Sequence, residues 1–278
     1  MARFSGKVAI ITGSSNGIGR AAAVLFAREG AQVTITGRNA QRLEETRQQI
    51  LAAGVAEHNV NSVIADVTTS AGQDEIIDTT LAKFGHVDIL VNNAGAAVPD
   101  AAGKTGTAQS IENYDATMQL NLRSVVEMTK KITPHLTATK GEIINISSIA
   151  SGLRATPEFP HYSIAKAALD QYTRNTAIDL IQHGIRVNSI SPGLVATGFG
   201  TAMGMPDEVS KKFYSTTAGN KHCVPAGFMG QPQDIAEAIA FLADRKTSGY
   251  IIGHQLVVDG GSSLIMGLHT VDFAALVN

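Results

Sequence analysis

The sequence predicts an α/β protein: a doubly wound, mostly parallel sheet of seven strands with helices on both faces. Three observations carry that prediction. Short apolar runs rich in β-branched residues alternate with helical runs from the N-terminus onward. The first strand leads through a glycine loop, Gly13-Ser14-Ser15-Asn16-Gly17-Ile18-Gly19, straight into a helix. No internal repeat and no linker divides the 278 residues, of which 44% are apolar, as in an ordinary packed core. One domain over 1–278 is therefore expected.

Val8 to Thr12 reads as a buried strand, and the helical run Arg20 to Glu29 is closed by Gly30. Between them the glycines are spaced G-x-x-x-G-x-G. Such a loop lets backbone approach a pyrophosphate, and the following helix offers unpaired N–H groups and a positive dipole end. A plain strand-to-helix turn is the competing reading. Gln32 to Thr36 is the second strand. Its end, Thr36-Gly37-Arg38-Asn39, carries an arginine where an acidic residue would bind a ribose 2′-hydroxyl. A guanidinium there suits a 2′-phosphate, which favours NADP(H) over NAD(H). Ser15 stands where a second basic residue would have strengthened that reading, and a solvated charge at the helix entry is the alternative.

Ala40 to Ala53 is a polar amphipathic helix, and Val60 to Ala65 a strand ending at Asp66-Val67. Asp66 either accepts from an adenine amino group or caps the next helix, Ala71 to Phe84. The strand Val87 to Val91 is followed by Asn92-Asn93-Ala94-Gly95, amides and small residues suited to a hydrogen-bond hub where a ligand passes close to the backbone. A loop from Ala96 to Ser110 precedes one long helical pattern, Ile111 to Leu136, whose interior Asn121 can disturb the local bonding.

Gly141 to Ile146 is the fifth strand and ends in Ser147-Ser148. The loop Ile149 to Pro160 bends back so that Tyr162 and Ser148 reach one crevice. Tyr162 and Lys166 are four residues apart, roughly 5–6 Å at Cβ on one helix face. A phenol beside an ammonium makes an acid/base pair, the positive charge drawing the phenol toward the working range. In isolation the same spacing also describes a solvated helix face. His161 next to it reads either as a substrate contact or as a packed histidine.

After this helix, closed by Gly184, come the strand Ile185 to Ile190 and the turn Ser191-Pro192-Gly193. Residues 198–230 read as a lid with a short helix around Asp207 to Tyr214. Phe199, Met203, Met205 and Phe213 there either form an apolar substrate surface or pack the lid on the body. Gln231 starts a helix to Ala243, Gln255 to Val258 is the last strand, and 262–278 forms an apolar C-terminal tail.

Composition narrows the partners. The net charge of −2 comes with no basic run for nucleic acid and no charged tail for a membrane surface. The single cysteine, Cys223, excludes an internal disulfide and is expected to be a small packed residue in a reducing compartment. The longest apolar stretches, such as Ala21 to Ala27, are too short to span a bilayer, and no signal peptide opens the chain. The eight histidines show no metal-ligand spacing. A soluble, cytoplasmic protein without a metal is expected.

Thr12 to Gly19, Asp66, Asn92-Asn93-Ala94-Gly95, Asn121, Ser148, Tyr162-x-x-x-Lys166, Pro192 to Thr197 and Val258-Asp259-Gly260-Gly261 occur in one order over nearly the whole chain. In this set the sequence resembles the classical short-chain dehydrogenase/reductase family, and within it the tropinone-reductase-like branch and related carbonyl reductases. The resemblance implies a Rossmann-type fold and a role for each matching position. Tyr162 would be the general acid/base, Lys166 would lower its pKa and bind the nicotinamide ribose, Ser148 would hold the substrate oxygen, and Asn121 would fix a water. The cofactor would be held by Gly13, Ser15, Asn16, Gly17, Ile18, Gly19, Arg38, Asp66, Val67, Asn93, Ala94, Gly95, Pro192, Val195 and Thr197, with Tyr162 and Lys166. It also implies a homodimer or homotetramer. The Ser148–Tyr162 interval is about one residue longer than the commonest in the family, which bears on loop shape.

The expected function is NADP(H)-dependent interconversion of a small, apolar ketone and its secondary alcohol. A non-enzymatic nucleotide-binding scaffold on the same fold is the rival from another class. An epimerase or dehydratase that keeps its cofactor is the rival enzyme, disfavoured by the short segment after Pro192.

Overall fold

The computed structural model describes residues 2–153 and 155–265. Seven strands form one all-parallel sheet among them: β1 (Val8–Ile11), β2 (Gln32–Gly37), β3 (Val60–Ile64), β4 (Ile89–Asn92), β5 (Glu142–Ile146), β6 (Arg186–Pro192) and β7 (Gln255–Val258). Their order is β3-β2-β1-β4-β5-β6-β7. The sheet is Rossmann-type, and its order reverses between β1 and β4, the point where such sheets open a crevice at their C-terminal edge.

Side-chain alternation builds the two faces. Ala9, Ile11, Ile89, Val91, Ile144, Ile146 and Ile190 join one core with α1 (Gly17–Arg28), α2 (Ala40–Ala52) and α9 (Pro232–Ala243). Ile10, Leu90, Ile143 and Val187 join the opposite core with α3 (Ser70–Phe84), α5 (Ser124–Thr139) and α6 (Pro160–Ile181). Every residue of β1 is buried, as its unbroken apolar run requires.

Three local expectations change. The single helix expected over Ile111 to Leu136 is α4 (Ile111–Met118) and α5 joined by a π-helical turn at Gln119–Arg123. Asn121 lies in that turn, and its Nδ2 donates to Thr117 O at 2.9 Å, claiming an acceptor of the helical ladder. Pro160 belongs to α6 rather than to the preceding loop; its missing N–H costs nothing at a helix start. In the expected lid, the short helix runs on as α8 (Asp207–Gly219), after the one-turn α7 (Phe199–Ala202). The remaining one-turn α10 spans Arg245–Ser248. Of the expected tail, residues 266–278 lie outside the described residues. No helix among the described residues is long and apolar enough to cross a membrane.

Candidate active site

The glycine loop between β1 and α1 is shaped by contacts that only glycine permits. Gly13 has φ +64°, and a Cβ there would lie 2.8 Å from Ala94 Cα. Across this approach Thr12 and Asn93 form a clasp. Thr12 Oγ1 accepts from the N–H groups of Asn93 and Ala94, each at 3.0 Å, and Asn93 Nδ2 donates to Thr12 O at 2.8 Å and Gly13 O at 3.1 Å. The amide-rich segment is thus the expected hub. Below it Asn92 Nδ2 donates to Asn145 Oδ1 at 2.9 Å, and Asn145 Nδ2 to Thr173 Oγ1 at 2.9 Å, so buried amides link β4, β5 and α6. Asn16 caps α1 with extended backbone but makes no side-chain cap bond, which leaves the first-turn N–H groups for an anion.

The loop's outer side is held by residues that motif reading passes over. Arg20 Nη2 donates to Ser15 O at 2.6 Å, and Arg20 Nε to Thr46 Oγ1 at 2.9 Å. Thr46 Oγ1 in turn donates to Ser14 O at 2.9 Å. Thr36 N–H donates to Ser14 Oγ at 2.8 Å, which ties the loop to β2.

A cavity of about 880 Å³ runs from this loop across the sheet edge. At one end lie Arg38, Asp66 and Val67. The Arg38 guanidinium is exposed and stands 3.7 Å from an Asp66 carboxylate oxygen. Burial raises the Asp66 pKa, but hydrogen bonds from the Thr68 N–H and hydroxyl, with the Arg38 charge, outweigh it and hold the carboxyl below the usual value. The cap of α3 is Thr69, so Asp66 does not cap that helix as one of its two readings required. Arg42 also lines this end. It lies in the first turn of α2, four positions beyond Arg38, and forms no ion pair among the described residues. The Arg38-x-x-x-Arg42 spacing was the available signal for this second cation.

The other end gathers Ser148, Tyr162 and Lys166. Ser148 lies two residues beyond β5 and its Oγ accepts from Ala150 N–H at 3.1 Å, which fixes the turn that follows. Tyr162 and Lys166 share a face of α6, with Lys166 Nζ 5.7 Å from the Tyr162 ring centroid. Lys166 Nζ donates to Ile146 O at 2.8 Å. The charge balance departs from the expectation that the lysine draws the phenol down. Burial pushes the Tyr162 phenol up to about 12, against a hydrogen bond with Ser148. Burial also pushes the Lys166 ammonium down to about 8, against the charge of Asp170.

Ser15, Asn16, Gly17, Ile18, Ala94, Gly95, Pro192, Val195 and Thr197 line the same cavity. Two expected site residues do not. Gly19 packs behind the loop, where a Cβ would collide with Asn93 Nδ2 and Gly13 O. Asn121 is fully buried; its Oδ1 accepts from Ala96 N–H at 3.1 Å, and its Nδ2 donates to Ala96 O at 2.8 Å. It lies behind Gly95, whose added Cβ would meet both Asn121 Oδ1 and Lys166 Nζ. His161 is likewise off the cavity: its Nδ1 hydrogen bonds Asn113 Oδ1 at 2.9 Å, tying α6 to α4. Cys223 is exposed and lines the cavity, contrary to the packed position expected.

Around Tyr162 the wall is apolar. Phe159, Phe199, Met203, Phe213 and Val224 line it, and the Phe199 ring centroid is 5.7 Å from that of Tyr162. Among the described residues, the charged ones lining the cavity are Arg38, Arg42, Asp66 and Lys166. All but Lys166 are at the Arg38 end.

The sequence model of a family described as enoyl-(acyl carrier protein) reductase matches residues 13–263. Subunit BbsD of a (2S)-[(R)-hydroxy(phenyl)methyl]succinyl-CoA dehydrogenase from Thauera aromatica is 37% identical over 264 residues, covering 94% of this chain and 98% of that protein. A short-chain dehydrogenase/reductase of unknown function from Caenorhabditis elegans, solved with cofactor, is 63% identical with a TM-score of 0.96, covering 97% of this chain and 100% of its own. A glucose dehydrogenase of Caenorhabditis elegans, solved in the apo form, is 76% identical with a TM-score of 0.83, covering 95% of this chain and 100% of its own.

Proposed function

Because the chain belongs to the short-chain dehydrogenase/reductase family, we propose that it transfers a hydride between NADP(H) and a small apolar ketone or secondary alcohol. The observation that carries this reading is one cavity with Ser148, Tyr162 and Lys166 at one end and two arginines at the other.

The residues fit a nicotinamide dinucleotide. The Gly13–Ala94 approach leaves backbone, not side chain, facing a pyrophosphate, and α1 begins with unclaimed N–H groups. Gly13, Ser15, Asn16, Gly17 and Ile18 would hold the pyrophosphate. Asp66 and Val67 would hold the adenine, Asn93 to Gly95 would flank the ribose, and Pro192, Val195 and Thr197 would hold the nicotinamide end. Arg38 and Arg42 would pair with a 2′-phosphate, which selects NADP(H). When bound, the nicotinamide supplies the hydride or takes it up.

In the reducing direction a C–H bond forms at the carbonyl carbon, and the C=O π pair moves to oxygen. Tyr162 Oη gives its proton to that oxygen, and the Ser148 hydroxyl donates a hydrogen bond to it. Lys166 stabilises the phenolate that remains until solvent returns the proton, with Asn121 behind it fixing a water. Oxidation runs the same steps backwards. A phenol pushed up to about 12 holds its proton at neutral pH, and the Lys166 charge stabilises the phenolate once that proton is given up. The segment 198–230 acts as lid, and Phe199, Met203 and Phe213 select apolar substrates. A homo-oligomer in the cytoplasm completes the reading.

A second reading takes a sugar as substrate, because the 76% identical relative is a glucose dehydrogenase. Thr156, Tyr214 and Thr217 on the cavity wall offer hydroxyl partners for it. The test is turnover of NADPH and NADP⁺ by the purified protein with aryl and alkyl ketones, their alcohols, and glucose. Ketone-dependent NADPH oxidation supports the first reading and glucose-dependent NADP⁺ reduction the second. Nucleotide binding without turnover of any of these compounds moves the reading to a scaffold.

A further inference from the structure

Asp170 is an ionisable group that the chemistry above does not use, in a place where a charge is costly. It is 4% exposed and lies one helical turn beyond Lys166 on α6, as Lys166 lies one turn beyond Tyr162. At that spacing its Cβ is roughly 5–6 Å from that of Lys166. A buried carboxylate persists only when it is paired and hydrogen-bonded. Asp170 Oδ2 is hydrogen-bonded, while its Oδ1 is buried without a hydrogen-bond partner and Lys166 acts on it through charge rather than as a contact ion pair.

The main hydrogen-bond partner comes from the far edge of the sheet. Gln255, the first residue of β7, places its side-chain Nε2 2.6 Å from Asp170 Oδ2, 3.0 Å from Ser151 Oγ and 2.8 Å from Ser191 Oγ. Ser151 Oγ donates to Ser148 O at 2.6 Å, so the cluster reaches the backbone of the residue proposed to hold substrate oxygen. Ser191 immediately precedes Pro192. One amide therefore joins three segments: the Ser148 turn, the Lys166 helix and the β6 end.

We propose that Asp170, clamped by Gln255, is a positioning residue for the reaction, supplying the buried counter-charge of Lys166 and fixing the Ser148 turn. The inference rests on the oxidoreductase reading for its link to turnover, but its electrostatic part stands on the free protein. Burial drives Lys166 toward the neutral amine and the Asp170 charge opposes this. Burial likewise raises Asp170, opposed by its polar neighbours Ser147 and Ser151 and by the charges of Arg174 and Lys166. The other groups packed on Lys166 are neutral: the Tyr162 phenol, the Ile146 carbonyl and the Asn121 amide behind Gly95. Removing the carboxylate leaves Lys166 with burial alone.

The test compares the full-length wild type with D170N, D170S and Q255L, each first checked for cooperative thermal unfolding. The Lys166 ammonium is titrated by NMR on lysine-labelled protein, assigned with K166R, with no cofactor or substrate. NADPH affinity is measured by fluorescence, and the pH profile of NADPH oxidation is recorded with acetophenone and, if that is inert, with the best ketone of the panel above. D170N is expected to lose the Lys166 proton at least half a pH unit below wild type, and the alkaline fall of reduction to move with it. Q255L is expected to lower kcat at least tenfold with NADPH affinity unchanged. D170S supplies the same comparison if D170N does not fold. An unmoved Lys166 titration in a folded Asp170 variant overturns the proposal, as does a Q255L enzyme with wild-type kcat. A shifted titration in a protein that turns over nothing overturns the oxidoreductase reading and leaves the Lys166–Asp170 pairing standing.

Discussion

Replacing Arg38 with alanine should weaken NADPH far more than NADH. The size of the effect follows from where the guanidinium sits. A hydrogen bond to a charged group contributes about 1.5–3 kcal/mol. The Arg38 side chain is 73% exposed, so solvent screening places it at the low end, about 1.5 kcal/mol, or roughly tenfold in Kd. Loss of the Asp66 partner is a small correction, because two charges 3.7 Å apart in water interact by only about 1 kcal/mol. Arg42 stands on the same side of the cavity, so the R38A/R42A double variant should lose roughly a further fivefold to tenfold. NADH affinity should stay within about twofold in both, and the NADPH preference should shrink as salt rises. Fluorescence titration of both nucleotides against the three proteins reads all of this. Wild-type protein that binds NADH as tightly as NADPH, or an R38A variant with unchanged NADPH affinity, would refute the 2′-phosphate assignment.

Three further outcomes follow from the same geometry. Tyr162→Phe should keep nucleotide affinity while cutting turnover by about 10²–10⁴, the usual worth of a positioned acid; retained turnover would remove Tyr162 from the chemistry. With Tyr162 up at about 12 and Lys166 down at about 8, both hold their protons below pH 8. Ketone reduction should therefore be level at neutral pH and fall above about 8, where Lys166 loses the charge that stabilises the phenolate left by proton transfer, while alcohol oxidation, which needs the phenolate, rises with pH. Initial rates in both directions across pH 6–10 check the sign. Gly13→Ala places a Cβ 2.8 Å from Ala94 Cα at φ +64°, so it should lower the thermal midpoint and lose the stabilisation that NADPH gives. An unchanged nucleotide-induced shift in Tm would count against the loop's role.

The sheet was readable because its strands are short apolar runs between turn residues. Ile10 and Ile11 fall on opposite faces simply because they are neighbours on a strand. The cavity lining was readable where it comes from contiguous motifs at strand ends, as at Gly13, Ser15 to Gly17, Asn93 to Gly95 and Ser148. It was not readable where a role depends on which segments meet. Arg42 looked like one more charge on a polar helix until α2 was placed beside Asp66. Gln255 looked like the start of an edge strand, and nothing local ties it to Asp170, 85 positions away. The π turn at Gln119–Arg123 depends on Asn121 bonding to the Ala96 backbone, which is tertiary. The phenol's high pKa escaped for the same reason, because burial is a property of the folded crevice and spacing carries no measure of it.

The Thr12–Asn93 clasp bears on how the molecule comes into being. Its hydrogen bonds join positions 80 to 82 apart, so the nucleotide cradle exists only once β1 and β4 have found each other across the intervening β2 and β3 units. Closing so long a loop is an entropic cost met before the contact rewards it. Nucleotide can recognise the cradle only in the finished topology, so it acts as a brake on unfolding. At a free concentration a hundred times its Kd it adds about 2.7 kcal/mol to the folded state. The stability of the folded chain is thereby expected to rise with the free nicotinamide nucleotide concentration.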